Sequence, residues 1–236
     1  MTAKEGQRKV IFCCPTVTRP FPQFLASMEA SVPVLDAAGI DHKMVFEIGS
    51  AYISWARANM LRKALDTQPD MIVFLDHDMA WKPEDLLKLI QTPGDVVAGT
   101  YRFKQEREEY MGTWHTNEDG RPVTREDGCI RAEWVPAGFL KVTAAAVDRF
   151  MAGYPGLAFG SRYRPHIDLF NHGAHEGVWY GEDYAFSRNW RALGEDIWII
   201  PDLNLDHHSP DAVFPGNFHT YLLGCPGGSN DPARAA

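Results

Sequence analysis

Residues 71–81 read MIVFLDHDMAW, and the change of character within them decides the fold. The apolar run 71–75 reads as a short strand buried on both faces, the pattern of a parallel sheet covered by helices. It passes directly into Asp76-His77-Asp78. In an open α/β sheet, ligands gather beyond the carboxyl ends of the strands. Two carboxylates two residues apart in extended chain project to the same side. Together they can hold a hard divalent cation, with diphosphate oxygens and water completing its shell. The plain alternative is a pair of solvated acids at a strand end.

Upstream, KVIFCC (9–14) reads as a buried strand ended by Pro15, and 21–38 as a helix stopped by Gly39. HKMVFEI (42–48) is a second strand, and 51–65 a helix whose Trp55 and Met60 are expected to face the core. Downstream follow a helix over 83–90 and a strand at DVVAG, 95–99. Strands alternating with helices imply right-handed parallel βαβ units and an α/β fold, a mostly parallel central sheet flanked by helices. Past residue 100 the pattern changes. Strands are expected at 109–116 and 129–135 around a polar hairpin, 117–128, then a helix over 143–151. Residues 153–180, rich in Gly, Pro, His and aromatics, read as a long functional loop. A helix at 181–193 and a strand at 196–200 follow, and the chain from Ser209 onward reads as a pliable tail.

The chain has 236 residues, enough for one α/β domain with a closed core. Its 23 basic residues against 31 acidic ones give a net charge of −8, with no basic stripe of the kind that grips nucleic acid. No stretch approaches the roughly 20 apolar residues that cross a bilayer. The opening MTAKEGQRKV has no apolar segment of a secretory signal, so a cytoplasmic location is expected. Cys13, Cys14, Cys129 and Cys225 form no CxxC pair, and Cys13 and Cys14 read as buried free thiols.

Three more stretches carry chemistry. Gly181-Glu182-Asp183 opens a helix, where the dipole favours ionised carboxylates; simple capping uses the same residues. LNLDHHSP (203–210) places His207 and His208 just after a strand, as a metal ligand or as ordinary surface residues. In WVPAGFLKV (134–142), Pro136-Ala137-Gly138 lets a ligand approach the backbone, or forms a tight turn. His166, Asp168, His172, His175 and Glu176 suit a polar lid better than a zinc site, since their spacing matches no strong pattern. Core packing is the default for Trp179 and Tyr180.

In this order, these elements resemble a GT-A glycosyltransferase, a Rossmann-like nucleotide-diphospho-sugar transferase. Asp76-His77-Asp78 matches its DxD motif, Gly181-Glu182-Asp183 a Gly-Glu-Asp element, His207 a C-terminal metal ligand and Pro136-Ala137-Gly138 a donor loop. Ala56-Arg57-Ala58-Asn59 is similar to the Ala-Arg-x-Asn stretch that precedes the DxD motif in family 2 and Anp1-like enzymes.

The resemblance implies a single domain over 1–236, with a nucleotide-binding half at 9–100 and a donor/acceptor half at 101–208. The donor would be a UDP- or GDP-sugar, with Mn²⁺ or Mg²⁺ as cofactor. Pro15, Thr16 and Glu47 would frame the nucleoside, Arg57 and Asn59 would lie near the base or diphosphate, and Ala137 and Gly138 would line the donor site; an arginine at 57 could equally make a structural salt bridge. Asp76 would reach the ribose or metal, Asp78 and His207 would bind the metal, and His208 is the fallback. Asp183 would be the base of an inverting transfer, with Glu182 orienting sugar or acceptor; in a retaining transfer both acids would instead steady the acceptor and the developing oxocarbenium charge. The acceptor could be a glycan, a lipid-linked saccharide, a protein or a modified nucleobase, recognised by loops 102–128 and 153–180. The rival readings are a degenerate nucleotide-sugar-binding module and a metal-dependent nucleotidyltransferase or phosphohydrolase. No Walker-type loop supports the second rival.

Overall fold

The computed structural model describes residues 7–224. Its first half contains β1 (Lys9–Thr16), α1 (Pro22–Ala37), β2 (Asp41–Ile48), α2 (Ile53–Leu65), β3 (Met71–Leu75), β4 (Met79–Ala80), α3 (Pro83–Gln91) and β5 (Val96–Ala98). The middle carries β6 (Thr113–Trp114), β7 (Ile130–Trp134), β8 (Phe139–Thr143), α4 (Ala144–Gly153), β9 (Ala158–Ser161) and β10 (Arg164–Ile167). Then come β11 (Gly173–His175), β12 (Val178–Tyr180), α5 (Glu182–Ala192), β13 (Ile197–Ile199), β14 (Asp206–His208), β15 (Val213–Pro215) and α6 (Phe218–Gly224).

Eight strands make the central sheet in the order β2-β1-β3-β8-β5-β13-β7-β6. The pairs β2–β1, β1–β3 and β5–β13 are parallel, and β8 and β7 run against the rest. The sheet is mostly parallel and covered by helices, as expected. The residues of β3 show why: all five are buried, with Ile72 and Phe74 in one core cluster and Met71, Val73 and Leu75 in the other. Alternate residues face opposite sides of a strand, so a continuous apolar run feeds two cores at once. In β1, Ile11 and Cys13 likewise face one core while Val10, Phe12 and Cys14 face the other. Cys13 and Cys14 are free and fully buried, and burial pushes both thiols far above their ordinary range.

Several expectations are corrected. Pro15 and Thr16 do not follow the first strand but end it, paired with Glu47 and Ile48 of β2. The pairing of β1 with β3 stops at Cys13, so proline, which lacks an N–H, sits where the strand has one partner only. Of Trp55 and Met60, Met60 is buried but Trp55 is 47% exposed. Only Thr113–Trp114 of the expected strand at 109–116 joins the sheet. The stretch 153–180 is not an irregular loop: it folds into two antiparallel hairpins, β9–β10 and β11–β12. The β11–β12 turn is built on backbone that favours glycine, at Gly177 with φ +81°. Trp179 is 67% exposed instead of packing in the core. Within the stretch from Ser209, β15 pairs with β14, and α6 buries Phe218 against Tyr110 and Trp114. Cys225 and the rest of that stretch lie outside the described residues.

Candidate functional site

At the end of β3 the backbone turns at once, the Met79 N–H donating to the Asp76 carbonyl at 3.1 Å. The acidic pair therefore lies on a tight turn, not on extended chain, and its carboxylates diverge. Asp76 meets the Arg57 guanidinium at 3.0 Å, whereas Asp78 faces Lys104 and His207.

Pairing in the small sheet β15-β14-β4 selects the histidine. Met79 lies opposite His207, and the His208 N–H donates to the Asp78 carbonyl at 2.8 Å. His207 Nδ1 is 2.8 Å from the Arg102 carbonyl, which can only accept, so Nδ1 carries a proton there. Nε2 is thereby turned to within 3.7 Å of Asp78 Oδ2. Asp78 is buried. Burial alone would raise its carboxyl, but the Lys104 ammonium that donates to it and the adjacent His207 imidazole outweigh that and hold it well below the usual carboxylate range.

Arg57 is the hub of the acidic half. It projects from α2, is 1% exposed, and binds Asp76, Glu182 (3.1 Å) and Asp183 (3.1 Å) while stacking over Phe170. One planar guanidinium serves three carboxylates because its fork presents several fixed donors. Asp183 lies in the first turn of α5, behind the N-cap Gly181, and also accepts from the Ala137 N–H. The helix start does not keep this carboxylate ionised as expected. Burial, opposed by Arg57 and reinforced by Glu182 and Asp76, pushes it up to about 7.

The β8 insertion supplies the back wall. The Asp76 N–H donates to the Gly138 carbonyl, and the Gly138 N–H donates to the Tyr101 hydroxyl, both at 3.0 Å. A Cβ at residue 138 would overlap the Tyr101 hydroxyl and stand 2.6 Å from Asp76 Oδ2, so only glycine fits. The close approach that Gly138 permits is to Asp76 and Tyr101 of the chain itself.

A hollow of about 300 Å³ opens in front of this constellation. Pro15, Thr16, Arg57, Asp76, Asp78, Glu182, Asp183 and His207 all line it. Thr16 Oγ1 and Asp78 Oδ1 are buried without a hydrogen-bond partner, two groups that a ligand could satisfy. Four expected residues do not line it. Glu47 is tied to Lys63 at 2.7 Å, and Asn59 contacts His166 Nε2 at 3.4 Å. Ala137 and Gly138 stand behind the wall, acting through their backbone groups. Sequence reasoning missed Tyr101, a buried aromatic indistinguishable from core in the sequence, and Lys104, a lone lysine in a polar stretch.

Among the described residues, no three His, Cys, Asp or Glu side chains are gathered into a metal cluster. Asp76, Asp78 and His207 are thus not a ready-made triad, because Arg57 draws Asp76 aside. The Asp78–His207 pair fits a divalent cation: Asp78 keeps one unpartnered buried oxygen, His207 presents Nε2 with Nδ1 fixed by a carbonyl, and the Lys104 ammonium already places positive charge on Asp78 Oδ2. The five groups of the suggested zinc lid are not assembled either. His166 instead packs in a three-ring cluster with Trp55 and Phe159.

This sheet order, with the acidic turn after β3 and the histidine strand beside it, is a GT-A fold. The chain resembles the crystal structure of GalNAc-T7 with UDP, GalNAc and Mn²⁺ at 11% identity and a TM-score of 0.54, over 86% of this chain and 44% of that one. It thus spans less than half of that protein's resolved length. A Drosophila β1,4-galactosyltransferase 7 complex with manganese, UDP-Gal and xylobiose matches at 12% identity and a TM-score of 0.46, over 96% of this chain and 77% of that one. S. aureus TarS, residues 1–349, matches at 14% identity and 0.47, over 82% and 58%. No protein-family model and no curated protein sequence matches the chain. No helix among the described residues is long and apolar enough to cross a membrane.

Proposed function

We propose that this chain is a glycosyltransferase that moves a sugar from a nucleotide-sugar donor, a UDP- or GDP-sugar, to an acceptor hydroxyl. The observation that carries the proposal is the joining, in one hollow at the carboxyl ends of β1 and β3, of a cation-ready pair with a carboxylate poised near neutrality. Asp78 and His207 would hold a divalent cation, Mn²⁺ fitting the nitrogen ligand better than Mg²⁺, whose charge would neutralise that of a diphosphate bound there. Thr16, with its unpaired hydroxyl, would meet the nucleoside. Arg57 holds Asp76, Glu182 and Asp183 in fixed mutual positions, so the donor and acceptor sides keep their register.

In an inverting transfer, Asp183 accepts the proton of the acceptor hydroxyl as its oxygen bonds to the anomeric carbon. The bond from that carbon to the diphosphate breaks, and the nucleoside diphosphate leaves with the electron pair. A base with a pKa near the working pH is the efficient one, which is what burial achieves at Asp183. Glu182 beside it would orient the sugar or acceptor. The neutralisation of Asp78 by Lys104 favours a second reading, a nucleotide-sugar-binding module without turnover.

Calorimetric titration of UDP and GDP with and without Mn²⁺, followed by hydrolysis assays on the corresponding sugars, tests both. Mn²⁺-dependent binding that Asp78→Ala abolishes, with turnover in the wild type, supports the transferase. Binding without turnover on any acceptor or water favours the module, and no nucleotide binding refutes both.

A further inference from the structure

Beside the donor hollow lies a second one, of about 330 Å³, lined by Tyr52, Ser54, Trp55, Ala58, Phe159 and Asp168. The two share the start of α2. Ile53 and Arg57, four residues apart and therefore on one stripe of the helix, line the donor hollow. Ser54 and Ala58, on the adjacent stripe, line the second with Trp55. The two hollows are thus contiguous around a single helix.

The lining is unusual for a surface. Tyr52 is 72% exposed and Trp55 47%, large rings left in water at the mouth of a concavity. They are not loose. Trp55 lies 5.9 Å from the His166 ring at 14° and 5.6 Å from Phe159, and Phe159 and His166 stack at 5.1 Å. The β9–β10 hairpin thereby holds one side of the indole and leaves it pre-organised for a partner. Asp168 supplies a polar edge: its Oδ2 accepts from Asn171 at 2.9 Å, and its Oδ1 has no hydrogen-bond partner.

We infer that this second hollow is a saccharide subsite, which binds a pyranose ring of the acceptor. The inference rests on the transferase reading only for the word acceptor; the binding stands on its own chemistry. A pyranose carries an apolar face of C–H groups bounded by a rim of hydroxyls. The C–H face stacks on the indole, burying exposed aromatic area, while a hydroxyl donates to the Asp168 carboxylate. An aromatic wall with few convergent polar groups is how small-ligand sites fix orientation. A carboxylate at that edge, in a chain of net charge −8, suits a neutral polyol and opposes a phosphorylated or nucleic-acid occupant.

The test is saturation-transfer NMR and tryptophan fluorescence titration with methyl α-D-mannoside, methyl β-D-glucoside, methyl β-D-galactoside and the methyl β-glycoside of N-acetylglucosamine. UDP with Mn²⁺ is titrated in parallel on every variant. The expected result is binding of at least one glycoside, weakened about tenfold in Trp55→Ala, the loss of roughly one stacked ring. It should be weakened similarly in Tyr52→Ala or Asp168→Asn and unchanged in Trp179→Ala, whose indole lies outside the hollow. Affinity for UDP should not move in any of these. Two results would overturn the inference: no glycoside bound by the wild type, or Trp55→Ala weakening UDP as much as glycoside, which would make the hollow a nucleobase site. Failure of the transferase reading shows separately, as a wild type that binds glycoside but neither UDP nor GDP.

Discussion

Replacing Arg57 by methionine keeps a long side chain in the core but removes the guanidinium shared by Asp76, Glu182 and Asp183. The three contacts are 3.0, 3.1 and 3.1 Å, and the arginine is 1% exposed. Breaking a buried ion pair by deleting one partner costs about 3–5 kcal/mol, because the remaining charges are stranded. At roughly 2–4 °C per kcal/mol for a domain of this size, the melting temperature should fall by about 6–20 °C at pH 8. The loss should also depend on pH. Arg57 is the group that holds Asp183 down against burial, so without it the Asp183 carboxyl rises further above its value of about 7. A carboxyl raised on folding binds more protons in the native state, so its contribution is intact below the unfolded value near 4 and is lost as pH climbs through the folded one. The deficit of Arg57→Met relative to wild type should therefore shrink at pH 5 and be largest above pH 8. Scanning calorimetry at pH 5, 7 and 9 measures this directly. A melting point within 2 °C of wild type at pH 9, or a deficit equal at all three pH values, would refute the account of Arg57 as the neutralising hub.

Asp183→Asn should lower turnover by about 10²–10⁴-fold if Asp183 is the general base, with UDP affinity nearly unchanged; in the wild type kcat/KM should rise with pH through about 7 as the carboxylate forms, and a flat profile would remove it from that role. Lys104→Gln should raise apparent Mn²⁺ affinity roughly fivefold, since a partly exposed ion pair of about 1 kcal/mol no longer competes for Asp78; weaker Mn²⁺ binding would instead show that Lys104 assists the loaded site. Gly138→Ala should cost about 1–3 kcal/mol of stability by forcing apart Asp76 and Tyr101, and an unchanged melting curve would mean that the back wall yields freely.

How much of this was legible in the sequence differs by residue for physical reasons. The run 71–75 announced a doubly covered strand because every position is apolar, and burial of all five follows from that pattern. The hairpins at 158–167 and 173–180 were missed because their strands are only three or four residues long, too short for alternation to rise above their Gly, Pro and aromatic content. Trp55 was misread for a related reason: helical spacing turns it toward the second hollow, and residue type alone cannot separate an indole in a core from one at a mouth. Asp76, Asp78, Glu182, Asp183 and His207 stand out in the sequence because they lie at strand ends and a helix start, and the structure gathers all five around one hollow. Their partners follow another logic. Arg57 reaches its carboxylates across sequence separations of 19 to 126 residues, and Gly138 contacts Asp76 and Tyr101 through backbone N–H and carbonyl groups that carry no residue signature. Lys104 is the clearest instance. The chain reverses between Arg102 and Tyr110, which pair across a bridge, and the Phe103 N–H donates to the Glu109 carbonyl. That reversal, set by contacts with no local code, is what carries the lysine ammonium to Asp78. A carboxylate at a strand end can therefore be read from its own neighbourhood in sequence, whereas the charge that pairs with it must be read from the fold.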